Sequence, residues 1–124
     1  MGPSLRIPAR VTHCRVVERQ LIGSSGWYGV RCVFRWTGRG TYEERITLWR
    51  AASADGAIAL AEAEAAGYAE DTGVEYTGLA QCYEAVDVPG PGAEVFSLLR
   101  DSPLEPDAYL DRYFDDGGER QLPV

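Results

Sequence analysis

A chain of 124 residues that is 45% hydrophobic and 25% charged has the make-up of one globular domain around one core, which excludes the fibrous and disordered classes. Its net charge of −7 argues against non-specific nucleic-acid binding, and no apolar run approaches the ~18 residues of a membrane span. The charge is unevenly spread: residues 1–50 hold nine arginines against Glu18, Glu43 and Glu44, a balance of +6, while residues 51–124 hold three arginines against sixteen acids, a balance of −13.

Every basic residue is arginine, which with the abundant Ala and Gly points to a GC-rich bacterial genome. The first residues lack the long apolar core of a signal peptide, so a cytoplasmic location is expected. Cys14, Cys32 and Cys82 are scattered and form no C-x-x-C pair, so neither a metal site nor a cofactor is expected; Cys32 and Cys82 read as small core residues.

Residues 1–26 read as an N-terminal extension: Pro3 and Pro8 make its start irregular, Val11 to Ile22 fits neither period well and is open to an edge strand or a short helix, and Gly23-Ser24-Ser25-Gly26 reads as a joint. Residues 1–8 should add little to stability. The domain proper is expected at 27–116, with 117–124 a frayed tail. Trp27 to Trp36 alternates as a strand, with Tyr28, Val30, Cys32, Phe34 and Trp36 on one face. Thr37-Gly38-Arg39-Gly40-Thr41 is a turn, and Tyr42 to Ala51 is the returning strand. Setting Trp36 opposite Tyr42 puts Glu44 on the apolar face, between Phe34 and Ile46, where it needs a partner, water or a proton.

Ser53 to Thr72 reads as a helix with Ser53 as N-cap, an apolar stripe of Ala57, Ile58, Ala61, Ala65 and Tyr68, and Gly73 as its stop. Val74 to Val88 reads as a third strand, in which Gly78 marks a bulge or a close approach by the helix. Pro89-Gly90-Pro91-Gly92 is a loop, and Glu94 to Arg100 reads as a short fourth strand. Ser102-Pro103-Leu104-Glu105 has the form of a capping box before a second helix that should dock through Leu110, Tyr113 and Phe114. The expected fold is α+β: an antiparallel sheet of about four strands in the order ββαββα, spatial order 4-3-1-2, with the helices packed on one face.

Several of these pieces together resemble a known family. Trp27-Tyr28 opening a strand with Val30-Arg31, then Tyr42-Glu43-Glu44-Arg45-Ile46, an Ala-rich helix, and Tyr76 to Tyr83 resemble the bacterial Domain-of-Unknown-Function family 4288 over about residues 27–100. The resemblance implies a small stand-alone bacterial domain and transfers no activity and no site.

No phosphate loop, zinc spacing or nucleophile elbow is present in the sequence, and the single histidine, His13, lies in the extension; no catalytic residue is assigned. The function expected is a non-catalytic protein-binding module, either self-associating as a homodimer or acting as an immunity- or antitoxin-like partner protein, with no nucleic acid and no membrane involved. Its binding residues would be Trp27, Arg31, Arg35, Arg45 and Trp49, gathered with Val33 on the second face of the hairpin, since Trp and Arg dominate interface hot spots. The acids of the second half would complement those arginines across a twofold axis. The alternative is a small-molecule pocket or weak enzyme around Glu44 and Glu84 with Tyr28 and Tyr42, where two close carboxylates would split their pKa values.

Overall fold

The computed structural model describes residues 13–15, 26–114 and 116–121. The irregular start expected at 1–8 and the joint at 23–25 lie outside the described residues. Six elements follow in order: β1 (His13–Arg15), β2 (Trp27–Trp36), β3 (Thr41–Arg50), α1 (Ala54–Thr72), β4 (Glu75–Glu84) and α2 (Pro106–Tyr113). The sheet runs β1-β4-β2-β3, with β4, β2 and β3 antiparallel and β1 parallel to β4. The fold is α+β, and the placement of β4 beside β2 follows the expected order.

The hairpin closes one residue away from the expected register. Gly38 and Gly40 both take positive φ, 77° and 64°, so the turn holds Thr37 to Gly40 and Trp36 pairs with Thr41 instead of Tyr42. Because side chains alternate along a strand, a slip of one residue exchanges the two faces of β3. Thr41, Glu43, Arg45, Thr47 and Trp49 therefore share the face of Tyr28, Val30, Cys32 and Phe34, and the pairs are Phe34–Glu43 and Cys32–Arg45. Glu44, expected among the apolar side chains, lies on the opposite face beside Val33, with its side chain 62% exposed.

Helix α1 forms as its sequence requires. The Ser53 hydroxyl accepts a hydrogen bond from the Gly56 amide at 3.0 Å, and Gly73 ends the helix with a left-handed φ of 82°. Ala57, Ala61 and Ala65 are buried against the sheet, with Ile58 and Tyr68 packed at the edges of this stripe. The core lies between α1 and the strands: Tyr28, Val30, Cys32 and Phe34 from β2, Val74, and Ala80 and Cys82 from β4. Gly78 sits at φ 94° where the β2–β4 register shifts between Cys32 and Phe34, so it marks a bulge, and no helix approaches it.

Four further expectations are corrected. Residues 94–100 form no strand; the chain crosses the sheet face away from α1, where the Val95 carbonyl lies against Gly29. The edge beside β4 goes instead to β1, so within Val11 to Ile22 the edge-strand alternative holds at His13–Arg15, and because β1 is parallel to β4 the sheet is not wholly antiparallel. Helix α2 begins at Pro106 with Glu105 as a cap that makes no side-chain bond, while Ser102 accepts from the Leu104 amide at 3.1 Å instead of capping the helix. None of its residues is buried; Leu110 and Phe114 are exposed, and the ring of Tyr113 lies under the Arg100 guanidinium at 4.3 Å. Of the two helices among the described residues, α1 is the one packed on the sheet.

Candidate functional site

The face of the sheet toward α1 carries a polar network at the β3 side of the alanine stripe. Glu43 accepts from the Trp36 indole N–H at 3.1 Å and from the Tyr68 hydroxyl at 2.8 Å and 3.0 Å. Arg45 lies with its guanidinium 3.7 Å from the centre of the Tyr68 ring and donates to both oxygens of Glu64, at 3.0 Å and 3.1 Å. Glu64 and Tyr68 are four residues apart on α1, which brings both to one side of the helix. Bidentate donation to Glu64 raises the Arg45 pKa further above its already high range, so the charge is permanent. Burial, and then the Glu43 carboxylate, raise the Tyr68 pKa and keep its hydroxyl a donor.

Across the stripe, Tyr76 on β4 donates to Glu62 on α1 at 2.6 Å, beside the buried Cys32 thiol. Burial pushes Cys32 from its ordinary 9.0 up to about 11, and burial with the Glu62 hydrogen bond pushes Tyr76 well above its ordinary 10.0. Both groups are therefore protonated in the folded state at pH values where the unfolded chain ionises. A raised folded pKa adds stability that is complete below the unfolded pKa and disappears as pH climbs through the folded one. Stability from Cys32 and Tyr76 is expected to be constant below pH 9 and to fall by ~2 kcal/mol from the thiol alone by pH 11. Urea unfolding at a series of pH values measures this, with Cys32→Ala as the variant that flattens the slope. A wild-type midpoint unchanged between pH 9 and 11 would contradict the burial of the thiol.

The other face presents Trp27, Gly29, Arg31, Val33 and Arg35 from β2 and Tyr42, Glu44, Ile46, Leu48 and Arg50 from β3. Arg31 binds Gln81 through Nε at 2.9 Å and through Nη2, meets Glu44 at 3.2 Å, and stacks over Phe96 at 5.3 Å. It thus ties β2 to β3, to β4 and to the crossing segment. Arg35 meets Glu75 at 3.9 Å on the exposed rim, and the Arg50 guanidinium lies 5.8 Å from the Trp27 ring. The crossing segment is held by Tyr83, whose hydroxyl donates to Glu94 at 3.0 Å. Near the turn, an open cleft of about 520 Å³ runs between Trp36, Arg39 to Glu44 and the 118–121 segment.

The five predicted binding residues are thereby divided. Trp27, Arg31 and Arg35 remain on the outer face, whereas Arg45 and Trp49 turn to α1, where Arg45 is spent on Glu64 and Trp49 donates to Thr47 at 2.6 Å. The alternative pocket is divided in the same way: Tyr28 pairs with Glu84 on the α1 face, and Glu44 and Tyr42 lie on the other. What sequence reasoning missed is the outward row of β3. Tyr42, Ile46 and Leu48 are 61%, 49% and 36% exposed, so this strand turns its apolar alternate residues to solvent and its polar ones to the helix. The two glycines of the turn were the available signal, because a turn that absorbs both in left-handed conformations sets the faces of everything after it.

Among the described residues, no group of His, Cys, Asp and Glu is arranged to hold a metal ion, and no helix is long and apolar enough to cross a membrane. Comparison with family models, with curated proteins and with solved structures finds no match to this chain.

Proposed function

We propose that this chain is a non-catalytic protein-binding module, and that β3 is its recognition element. The carrying observation is the inverted strand: a ten-residue edge strand with Tyr42, Ile46 and Leu48 facing solvent beside a backbone edge that nothing pairs with among the described residues. Exposed apolar side chains on a long free edge are what strand-addition partners use, with main-chain bonds for affinity and alternate side chains for selectivity. The titratable groups at the α1 face support the same reading, since Glu43, Arg45, Glu62, Glu64, Tyr68 and Tyr76 are each engaged in joining the helix to the sheet. A partner protein of the immunity or antitoxin kind suits such a domain.

Ile46→Lys with Leu48→Lys is the test, because both side chains project away from the core and surface changes of this kind shift stability by only ~0.5 kcal/mol. The immobilised wild-type protein is expected to retain a polypeptide, a foreign one or its own chain, that the double variant loses while its thermal melt is unchanged. Equal retention by both proteins would remove β3 as the recognition element. A wild type that retains nothing, itself included, would remove the binding-module reading.

A further inference from the structure

The hydrogen-bonding direction of β3 narrows what can pair with it. The Ala51 amide donates inward to the Gly26 carbonyl at 2.8 Å, and the two residues continue the β2–β3 register. In an antiparallel ladder the backbone groups of alternate residues point to opposite sides of the strand. Thr41, Glu43, Arg45, Thr47 and Trp49 therefore direct their N–H and C=O groups to β2, and Tyr42, Glu44, Ile46, Leu48 and Arg50 direct theirs to the free edge. Among the described residues nothing pairs with that edge. The 118–121 segment shares a cleft with the first residues of the strand, Thr41 to Glu44.

We infer that the partner of β3 is β3 of a second copy, paired antiparallel about a twofold axis at Thr47; this rests on the reading of β3 as a recognition element. With the axis there, Ile46 of one copy pairs with Leu48 of the other, Glu44 with Arg50, and Thr47 with its own equivalent. The outward backbone groups of Glu44, Ile46, Leu48 and Arg50 are then all used. The Ile46 and Leu48 side chains of both copies make one apolar cluster, flanked at each end by a carboxylate facing a guanidinium. On the other face Arg45 lies opposite Trp49. Apolar and opposite-charge pairs directly across strands are both favourable.

Neighbouring registers lack this match. An axis at Glu44 sets two carboxylates against each other, and one at Arg45 sets two guanidinium groups against each other. An axis at Ile46 puts Glu44 opposite Leu48, and one at Leu48 puts Ile46 opposite Arg50. Of these axes, only the one at Thr47 pairs charge with opposite charge and apolar with apolar along the outer face. Glu44 is suited to the role because its side chain is 62% exposed while it keeps Arg31 at 3.2 Å. The result is one sheet continuous through both copies, with the helices α1 on the same side, since the axis stands perpendicular to the sheet.

Exchange of the end charges tests the register in the full chain. The wild type is expected to sediment as a dimer. Glu44→Arg alone and Arg50→Glu alone each set like charges together at both ends, and each should weaken dimerisation at least ~10-fold. An equimolar mixture of the two variants restores opposite charges at both ends and should recover the dimer as a heterodimer. Independently, Thr47→Cys in a Cys14→Ser background should form a disulfide-linked dimer on mild oxidation. The Cα atoms of a non-hydrogen-bonded antiparallel pair lie ~4.5 Å apart, within disulfide reach. Glu44→Cys in the same background should not cross-link, because its equivalents lie on the order of 20 Å apart along the ladder. A wild type that stays monomeric at high concentration overturns the self-pairing, as does a variant mixture that stays monomeric. Either result leaves the binding-module reading standing if the wild type still retains a foreign polypeptide that the Ile46→Lys, Leu48→Lys variant loses.

Discussion

Gly29→Ala is expected to dislodge the segment that crosses the outer face of the sheet. A Cβ at Gly29 would lie 1.9 Å from the Val95 carbonyl oxygen and 3.0 Å from its carbon, and both are backbone atoms with no rotamer to change. Either β2 bows or residues 93–97 lift away. Lifting them breaks the Tyr83–Glu94 hydrogen bond at 3.0 Å, separates the Tyr83 and Phe96 rings at 6.3 Å, and uncovers Arg31. Overpacking against side chains costs ~1–3 kcal/mol, and a backbone obstacle belongs at the upper end. The melting temperature should fall by roughly 10 °C, and a protease should cut within 89–100 much faster than in the wild type. A melt within ~2 °C of the wild type with unchanged proteolysis would show that the segment is not seated on Gly29.

Phe34→Ala should be the most damaging core substitution. Phe34 and Val30 are the largest side chains shielded completely from solvent, and the helix offers the core little beyond alanine methyl groups. The Phe34 ring meets Tyr68 edge-on at 5.1 Å and Tyr76 at 5.4 Å, with Arg45 over it at 5.6 Å. Its removal opens a cavity under both tyrosines and loosens their bonds to Glu43 and Glu62. A loss of ~3–5 kcal/mol is expected, a large share of the ~5–15 kcal/mol that holds a domain together. Phe34→Leu should cost about a third of that. Urea midpoints of the two variants decide the matter: equal, small shifts for both would mean that Phe34 is not the centre of the core.

The parts of the fold that the sequence made legible are those in which a local rule acts alone. The alternation of Tyr28, Val30, Cys32 and Phe34 gave β2 its buried face, and Ser53, the alanine stripe and Gly73 gave α1 its limits and its docking side. The parts that were not legible depend on what the rest of the chain offers. Hydrophobicity places Tyr42, Ile46 and Leu48 inward, but the turn geometry at Gly38 and Gly40 and the partners waiting on α1 for Glu43 and Arg45 place them outward. Glu94 to Arg100 has a strand-like composition, yet Gly29 opens a slot across the sheet that a backbone can enter. Leu110, Tyr113 and Phe114 have helical spacing, but spacing alone does not supply a surface to dock on. The binding set suffered most, since one residue of register moved Arg45 and Trp49 away from Trp27, Arg31 and Arg35.

The alanine stripe of α1 has a mechanical consequence. Ala57, Ala61 and Ala65 form a nearly smooth runner along the helix, so contact with the sheet holds the helix down without fixing where along its axis it stops. Position is set by pins on either side of the runner. Arg45 to Glu64 and Glu43 to Tyr68 lock one flank, and Tyr76 to Glu62 locks the other. These pins have fixed lengths and fixed angles, whereas apolar contact is tolerant of both. The side of the sheet that hydrophobic patterning would have filled with Ile46 and Leu48 is thus occupied by a latch, and the latch is what leaves those two side chains at liberty outside.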